Sequence, residues 1–111
     1  MQEVSVVIPN FNGMAYLDGV LSSLERQTIH NFEVILVDNG STDGSCAFVS
    51  AEYPWVHMIQ LPENYGFSRA VNEGIRAARS PYVLLLNNDT EAEPDFLEEM
   101  VAALRRHKKA F

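Results

Sequence analysis

The sequence predicts an α/β fold in which a parallel sheet of about four strands carries helices on both faces. Four short apolar runs alternate along the chain with four segments whose apolar residues recur at helical spacing. Three of the runs are almost continuously apolar, which is typical of strands that are covered on both faces. Repetition of strand and helix favours right-handed crossovers, and these make the sheet parallel.

The strands are expected at the four apolar runs Val4–Ile8, Val34–Val37, Val56–Leu61 and Val83–Leu86. His57 and Gln60 dilute the third run, so we place that strand at an edge of the sheet. The strand order is then 3-2-1-4, a Rossmann-like arrangement. Ligands of such sheets bind beyond the carboxyl ends of the strands, where the winding reverses beside strands one and four.

The helices are predicted from apolar residues three and four positions apart. We expect them to contain the segments Leu17–Leu24, Ser45–Tyr53, Phe67–Ala78 and Leu97–Leu104. Thr42 or Asp43 is expected to cap the second helix, since a short side-chain oxygen can accept from its free amides. Pro94 is expected in the first turn of the fourth helix, where a missing N–H costs nothing.

Composition limits the function classes. The chain has 111 residues, of which 47% are hydrophobic, and this suits one compact domain. The net charge is -7, from 8 basic and 15 acidic residues. This balance argues against a nucleic-acid groove, because such a groove needs a basic stripe to neutralise phosphates.

Cysteine usage and hydropathy bear on location. Cys46 is the single cysteine, so an intrachain disulfide is excluded and a reducing, cytoplasmic setting is expected. No apolar run approaches the roughly 20 residues of a membrane span. The first residues lack the basic and apolar regions of a signal peptide. Peripheral attachment of a longer protein to the inner face of a membrane stays open.

The residues that follow the four predicted strands are polar and rich in Asn, Asp and Gly. These loops are Pro9–Gly13, Asp38–Gly44, Glu63–Gly66 and Asn87–Glu91. Each loop taken alone is compatible with ordinary turn and helix-cap chemistry. Because all four meet at the carboxyl-end edge of a parallel sheet, together they favour a binding site.

Asn87-Asn88-Asp89 directly follows an apolar strand and is the candidate metal segment. Mg²⁺ takes oxygen ligands, typically one or two carboxylates together with substrate phosphates. Asp89 is therefore the expected ligand, and Asn87 could add a neutral oxygen or orient a water. The alternative is a strand end that is merely capped by an Asp.

Two other loops offer contacts to a nucleotide. Asp38 and Asn39 end the second strand, where an acid or amide can bind the edge of a base or a ribose. Gly66 opens the third helix, whose amides and dipole favour phosphate. Arg69, one turn further on, could add positive charge or lie on a solvated helix face. The glycine-rich dinucleotide signature and the phosphate-loop lysine pattern are both absent.

Four motifs resemble the family 2 glycosyltransferases, in order and in spacing, from Val4 to about Leu104. They are Val-Ser-Val-Val-Ile-Pro-Asn-Phe-Asn-Gly (4–13), Val-Asp-Asn-Gly-Ser-Thr-Asp-Gly-Ser (37–45), Asn-Tyr-Gly-Phe-Ser-Arg-Ala-Val-Asn-Glu-Gly-Ile (64–75) and Leu-Leu-Leu-Asn-Asn-Asp-Thr-Glu (84–91). The combination Asn-Tyr-Gly-Phe with Asn-Asn-Asp-Thr is most similar to the rhamnosyltransferase-type branch.

This resemblance implies the first half of a GT-A fold, a nucleoside-diphosphate sugar donor linked to UDP or dTDP, and a divalent metal, Mg²⁺ or Mn²⁺. The residues assigned to nucleotide binding are Pro9, Asn10, Phe11, Asp38, Asn39, Gly66, Arg69 and Asn88. The family's Asp-x-Asp motif falls on Asn87-Asn88-Asp89, so its first acid is Asn87 here. Asp89 remains as the metal carboxylate. Many members of the family also have two acids at the end of the second strand, where this chain has Asp38-Asn39.

The resemblance implies an inverting sugar transfer to an acceptor hydroxyl on a glycan or a lipid-linked molecule, in the synthesis of cell-surface polysaccharide. We assign no catalytic residue, because residues 1–111 contain no candidate for the base that deprotonates the acceptor. We therefore expect residues 1–111 to be the donor-binding part of a longer glycosyltransferase. The alternatives are a non-catalytic donor-binding or assembly module and a nucleotidyltransferase, which would want a basic glycine-rich first loop.

Overall fold

A computed structural model describes residues 2–107, which form four strands and four helices in strict alternation. The strands are β1 (Val4–Asn10), β2 (Phe32–Asn39), β3 (His57–Leu61) and β4 (Tyr82–Leu85). The helices are α1 (Met14–Glu25), α2 (Ser45–Glu52), α3 (Phe67–Ala77) and α4 (Phe96–His107). The predicted alternation of strand and helix is confirmed.

The strands form one parallel sheet in the order β3-β2-β1-β4, which confirms the predicted topology and the edge position of β3. β1 and β2 pair along their full overlap, so that Asn10 lies opposite Asp38. β4 pairs only with Val4–Val7 of β1. The last residues of β1 therefore extend beyond β4, and they leave open space at the carboxyl-end edge of the sheet.

The core has two layers, one on each face of the sheet. On one face, the side chains of β1 and β2 pack with buried residues of α1, α2 and α4. The strand residues are Val6, Ile8, Val34 and Leu36, and the helix residues include Leu21, Val49 and Leu97. On the other face, Val7 and Ile35 pack with α3. Helices on both faces are therefore confirmed, with α3 as the single helix on its face among residues 2–107.

The position of α3 depends on Gly74. A Cβ atom at this residue would lie 2.3 Å from Val7 Cγ1 and 3.2 Å from Val37 Cγ2, far inside van der Waals contact. The absence of a side chain lets the α3 backbone come down directly onto β1 and β2. The N-terminus of the helix, at Gly66, is thereby held beside the carboxyl ends of these strands.

Several boundaries differ from the sequence prediction, among them those of β2, α2 and α4. β2 extends to Phe32 and Asn39, beyond the apolar run, because ladder hydrogen bonds do not require apolar side chains. The residue before α2 is Gly44, with φ of 87°, so Asp43 lies one position further out than predicted, although its Oδ1 still accepts from the Ser45 N–H at the start of α2. Pro94 lies before α4, which begins at Phe96, and its carbonyl oxygen accepts from the Thr28 N–H at 2.8 Å.

Between residues 2 and 107, none of the helices has the length and the apolar character needed to cross a membrane.

Candidate donor-binding site

A cavity of about 450 Å³ opens at the carboxyl ends of the strands, where the four polar loops converge. Its lining residues are Pro9, Asn10, Phe11, Asn39, Asn64, Gly66, Phe67, Asn87, Asn88 and Asp89. Six of the eight residues assigned to nucleotide binding and both residues assigned to the metal belong to this lining. Asp38 and Arg69 do not line it.

Asn10, the last residue of β1, connects three of the loops. Its Nδ2 donates to Asp38 Oδ1 at 2.9 Å, and its Oδ1 accepts from Asn88 Nδ2 at 2.8 Å. The side chain is almost completely buried, with 3% of its surface exposed. The loops after β1, β2 and β4 are therefore joined by side-chain hydrogen bonds before any ligand is present.

Asp38 lies behind Asn10, and 1% of its surface is exposed. Besides Asn10, its carboxylate accepts from the backbone N–H of Ser41 at 2.9 Å and from Ser41 Oγ at 2.7 Å. The carboxylate thus organises the turn after β2 rather than facing the cavity. A direct contact between Asp38 and the nucleotide stays a prediction; in this structure Asp38 does not line the cavity and is linked to it through Asn10.

Asn39 anchors the loop after β3. Its Nδ2 donates to the Gly66 carbonyl at 2.9 Å, and its Oδ1 accepts from the Tyr65 N–H at 3.0 Å. This pairing needs both a donor and an acceptor, which an aspartate could not supply. The asparagine that stands here in place of a second acid therefore suits the loop it holds.

Asp43 joins the first turns of two helices. Its Oδ2 accepts from the Met14 N–H at 3.0 Å, and its Oδ1 accepts from the Ser45 N–H at 3.0 Å. The hydrogen bond from Ser45 Oγ is the main cause that lowers the pKa of this carboxyl, and the two backbone bonds also lower it. A negative charge at helix N-termini is favourable, so Asp43 stabilises α1 and α2 together.

The candidate metal segment lies at the open side of the cavity. Asp89 is exposed and lines the cavity. No hydrogen bond from the part of the chain that the structure describes occupies its carboxylate. Asn87 is also exposed and lines the cavity. Residues 2–107 contain no cluster of three or more acidic, histidine or cysteine ligands, so a cation here would need oxygens from its ligand as well.

Arg69 is engaged outside the cavity. Its Nε lies 3.2 Å from Glu73 Oε2, and its guanidinium lies 4.7 Å from the centre of the Tyr65 ring. This position matches the alternative we left open, a charge on a solvated helix face. A phosphate contact would require Arg69 to leave both partners.

Gly66 is the residue immediately before α3, beside the cavity, and its φ of 94° lies in the region that favours glycine. Its own N–H donates to Asn64 Oδ1 at 2.8 Å. The amides that a phosphate could use are therefore those of the helical turn that follows Gly66.

The sequence reasoning did not assign Asn64 and Phe67, which both line the cavity. Phe67 is 58% exposed although it is the first residue of α3, and Phe11 is 47% exposed in the loop after β1. An aromatic residue directly after the Gly66 position could have indicated a cavity wall. Helical periodicity alone had placed Phe67 in the core.

Cys46 lies near Asp38 and is partly buried. Burial, the hydrogen bond to Asp38 and the charges of Asp38 and Asp43 raise the pKa of its thiol to about 11. The thiol is therefore protonated at neutral pH and is a poor nucleophile.

Known structures share this fold. TarS 1-349 from S. aureus superposes with a TM-score of 0.87 at 27% identity, over 96% of this chain and 33% of that one. The mannosyltransferase PcManGT from Pyrobaculum calidifontis, in complex with GDP-Man and Mn²⁺, gives a TM-score of 0.69 at 26% identity over 78% of this chain and 27% of that one. The fold is that of the GT-A glycosyltransferases.

The sequence comparisons give the family. The model of "Glycosyl transferase family 2" matches residues 5–111, and the chain belongs to this family. An undecaprenyl-phosphate 4-deoxy-4-formamido-L-arabinose transferase from Aeromonas hydrophila is 35% identical over 107 residues, which are 90% of this chain and 33% of that protein. The chain covers 29% of the length of one further curated relative and 44% of the length of another.

Proposed function

We propose that the chain is the donor-binding part of an inverting glycosyltransferase that uses a UDP- or dTDP-linked sugar. The observation that carries this proposal is the cavity of four loops, which combines an open carboxylate at Asp89 with the N-terminus of α3. The two features suit a metal-bound diphosphate, because the cation needs an anionic ligand and helix amides attract phosphate. Family membership supports sugar transfer as the reaction.

The lining suggests how a nucleotide lies in the cavity. Pro9 and the exposed ring of Phe11 offer an apolar surface to a base. Gly66 and Phe67 also line the cavity, and there a phosphate would meet the backbone amides of the first turn of α3. Asn87 and Asp89 complete the rim on the side of β4. TarS 1-349 has been solved in complex with UDP and with UDP-GlcNAc, which supports a uridine nucleotide as the first probe.

The residues present fit a divalent cation of the hard, oxygen-binding type. Asp89 supplies one carboxylate and Asn87 one amide oxygen, and the donor's diphosphate would supply further oxygens. Such a cation would neutralise the charge that develops on the departing diphosphate. The protein's share of this work is to hold Asp89 at the cavity rim and to present the α3 amides.

Asp89→Ala is expected to abolish the part of UDP binding that depends on Mn²⁺, because it removes the carboxylate of the candidate metal segment. We would measure binding of UDP and dTDP by calorimetry with and without Mn²⁺. Asp95→Ala is the matched control, since Asp95 is an exposed acid outside the cavity. Metal-dependent binding that survives in Asp89→Ala, or is lost equally in Asp95→Ala, contradicts the assignment.

The chain is further proposed to form a domain together with the remainder of a longer protein. Three apolar residues of α3 and β4 are exposed: Ile75 at 50%, Val83 at 42% and Leu85 at 43%. Val83 and Leu85 stand opposite Ser5 and Val7 in the register, beyond the area that α3 covers. Exposed apolar side chains beside a sheet edge are costly in water and commonly mark an interface.

The remainder is expected to cover these three residues and to supply the acceptor site and the catalytic base. Asp89 is the sole acid that lines the cavity among residues 2–107, and it is assigned to the metal. In a full-length protein the β4 amides should exchange with deuterium at least about tenfold more slowly than in the isolated chain, since pairing protects edge amides. Equal exchange rates of Val83 and Leu85 in both proteins would refute the interface.

The acceptor is proposed to be a glycan or a lipid-linked molecule, used in the synthesis of cell-surface polysaccharide on the cytoplasmic side of the membrane. The named activity of the Aeromonas hydrophila relative, on undecaprenyl phosphate, supports a lipid-linked acceptor.

A further inference from the structure

A directed chain of hydrogen bonds runs from the rim of the cavity into the sheet. Asn88 Nδ2 donates to Asn10 Oδ1 at 2.8 Å, and Asn10 Nδ2 donates to Asp38 Oδ1 at 2.9 Å. Both asparagines carry a donor arm and an acceptor arm of nearly equal size, so either could be turned around. The direction of the chain must therefore be set by the residue at its inner end.

Asp38 sets this direction. The backbone N–H of Ser41 donates to Asp38 Oδ2 at 2.9 Å, and a backbone N–H cannot become an acceptor. The other oxygen of Asp38 faces Asn10 and also only accepts. Asn10 must turn its nitrogen to Asp38, which leaves its oxygen for Asn88. Asn88 must then turn its nitrogen to Asn10.

We propose that Asn10 and Asp38 are positioning residues that orient the Asn88 amide so that its Oδ1 is offered to the cavity, beside Asp89. This inference rests on the proposed donor site and deepens it. Asn88 lines the cavity, and its nitrogen arm is taken by Asn10, so the oxygen arm is the one a ligand can reach. A neutral acceptor at this point suits a divalent cation or a ribose hydroxyl group, which are both bound by oxygen.

The surroundings hold the chain of hydrogen bonds in place. β1 continues to Asn10, beyond the last residue that pairs with β4. The Asn88–Asn10 side-chain hydrogen bond therefore joins the two segments where their backbone hydrogen bonds end. Among residues 2–107 it is the sole side-chain hydrogen bond of the segment 87–89. Gly13 closes it from one side, since a Cβ there would lie 2.2 Å from Asn88 Nδ2 and 2.3 Å from Asn10 Oδ1.

Asp38→Asn is expected to reverse the chain without removing a side chain. Ser41 N–H still needs an acceptor, so the new amide keeps its oxygen there and turns its nitrogen to Asn10. Asn10 then presents its oxygen to residue 38 and its nitrogen to Asn88. The Asn88 Oδ1 then accepts from Asn10, and the Asn88 Nδ2 donor faces the cavity in place of the oxygen.

The exchange variant, Asn10→Asp combined with Asp38→Asn, is expected to restore the original direction. The carboxylate now at position 10 accepts from residue 38 and from Asn88 alike. Asn88 must again donate inward and offer Oδ1 to the cavity. The exchange variant also lacks the carboxylate at position 38, so its recovery cannot come from a direct contact between that carboxylate and a ligand.

The test is calorimetric titration of the three proteins with UDP and Mn²⁺. Asp38→Asn should bind at least about tenfold more weakly than the wild type, the size expected when a polar group faces the wrong partner. The exchange variant should recover to within about threefold of the wild type. Wild-type affinity in Asp38→Asn, or an exchange variant as weak as Asp38→Asn, overturns the proposal. Thermal unfolding followed by circular dichroism verifies that each protein is folded.

The orientation itself is measurable without a ligand by NMR couplings across hydrogen bonds in labelled protein. The wild type should show coupling from Asn88 Nδ2 to the Asn10 side-chain carbonyl, and Asp38→Asn should show it from Asn10 Nδ2 to that of Asn88. Coupling in the opposite sense in the wild type overturns the proposal even if no variant folds. Absence of UDP binding by the wild type contradicts the proposed function instead, and the couplings still decide the orientation.

Discussion

Gly74→Ala is expected to lower the free energy of unfolding by about 2 kcal/mol, although alanine is the better helix former. Overpacking a core costs about 1–3 kcal/mol, and a contact of 2.3 Å with Val7 belongs at the upper end because Val7 is β-branched and fully buried. The gain in helix propensity returns about 1 kcal/mol. Urea unfolding at 25 °C, followed by far-UV circular dichroism, measures the net effect.

Gly19→Ala is the matched control, since Gly19 also lies inside a helix. The three atoms nearest to a Cβ there all belong to the Glu91 side chain, at 3.3 Å, and that exposed carboxylate can move aside. The helix-propensity gain of up to about 1 kcal/mol should then appear without the clash. The two substitutions are thus expected to change stability in opposite directions. A Gly74→Ala protein as stable as the wild type would contradict the close packing of α3.

Glu33→Ala is expected to destabilise the protein by roughly 3 kcal/mol at pH 7. The substitution leaves buried donors without an acceptor, and each such loss costs about 1–3 kcal/mol. Glu33 Oε2 accepts from Ser5 Oγ at 2.5 Å and from the Arg79 N–H at 2.9 Å. The Glu33 side chain is 6% exposed and lies at the end of the sheet opposite the cavity. It ties the connection between α3 and β4 to the sheet, and nucleotide binding should survive the loss.

The same carboxylate should make stability depend on pH. Burial alone raises the pKa of Glu33, but the hydrogen bonds from Ser5 and Arg79 and the charge of Arg79 outweigh it and lower the pKa below its usual value of 4.5. The folded state therefore favours the ionised form. Its contribution is fully present above about pH 4.5 and is lost as the pH falls through the lower, folded-state pKa.

Glu33→Gln separates the charge from the hydrogen bonds. Its oxygen can keep both donors at the Oε2 position, while its nitrogen replaces Oε1, which lies 3.5 Å from Arg79 Nη2. We expect a smaller loss at pH 7 than in Glu33→Ala and a flatter fall in stability between pH 6 and pH 3. Denaturant midpoints over this range measure it. A Gln variant with the wild-type pH profile would refute the role of the charge.

Much of the fold could be predicted from the sequence because it depends on local patterns. The apolar runs at Val4–Ile8 and Val34–Val37 lie within β1 and β2, and the strand order followed from the polar residues of β3. The boundaries were less predictable. Phe32–Glu33 joined β2 through ladder bonds and a buried carboxylate contact with Ser5, which no local pattern reveals.

The candidate site was predictable as a place and less so in its contacts. Polar loops after parallel strands must meet at one edge, so the lining residues Asn87 and Asp89 could be assigned from position alone. Asp38 was assigned to the ligand and proves to be buried behind Asn10. Asp38 and Asn10 differ in how deeply they are buried by about the length of one side chain. That difference decides which polar group faces the cavity, and the spacing of residues along the chain does not reveal it.

The sequence by itself determined the parallel α/β fold, the edge of the sheet that carries the site and Asp89 as its open carboxylate, since alternation and strand-end chemistry are local properties. The tertiary structure alone decided that Arg69 turns to Glu73 and that Asn10, Asp38 and Asn88 form one directed chain. Those choices depend on which donors and acceptors from distant segments come within about 3 Å of one another, and only packing sets such distances.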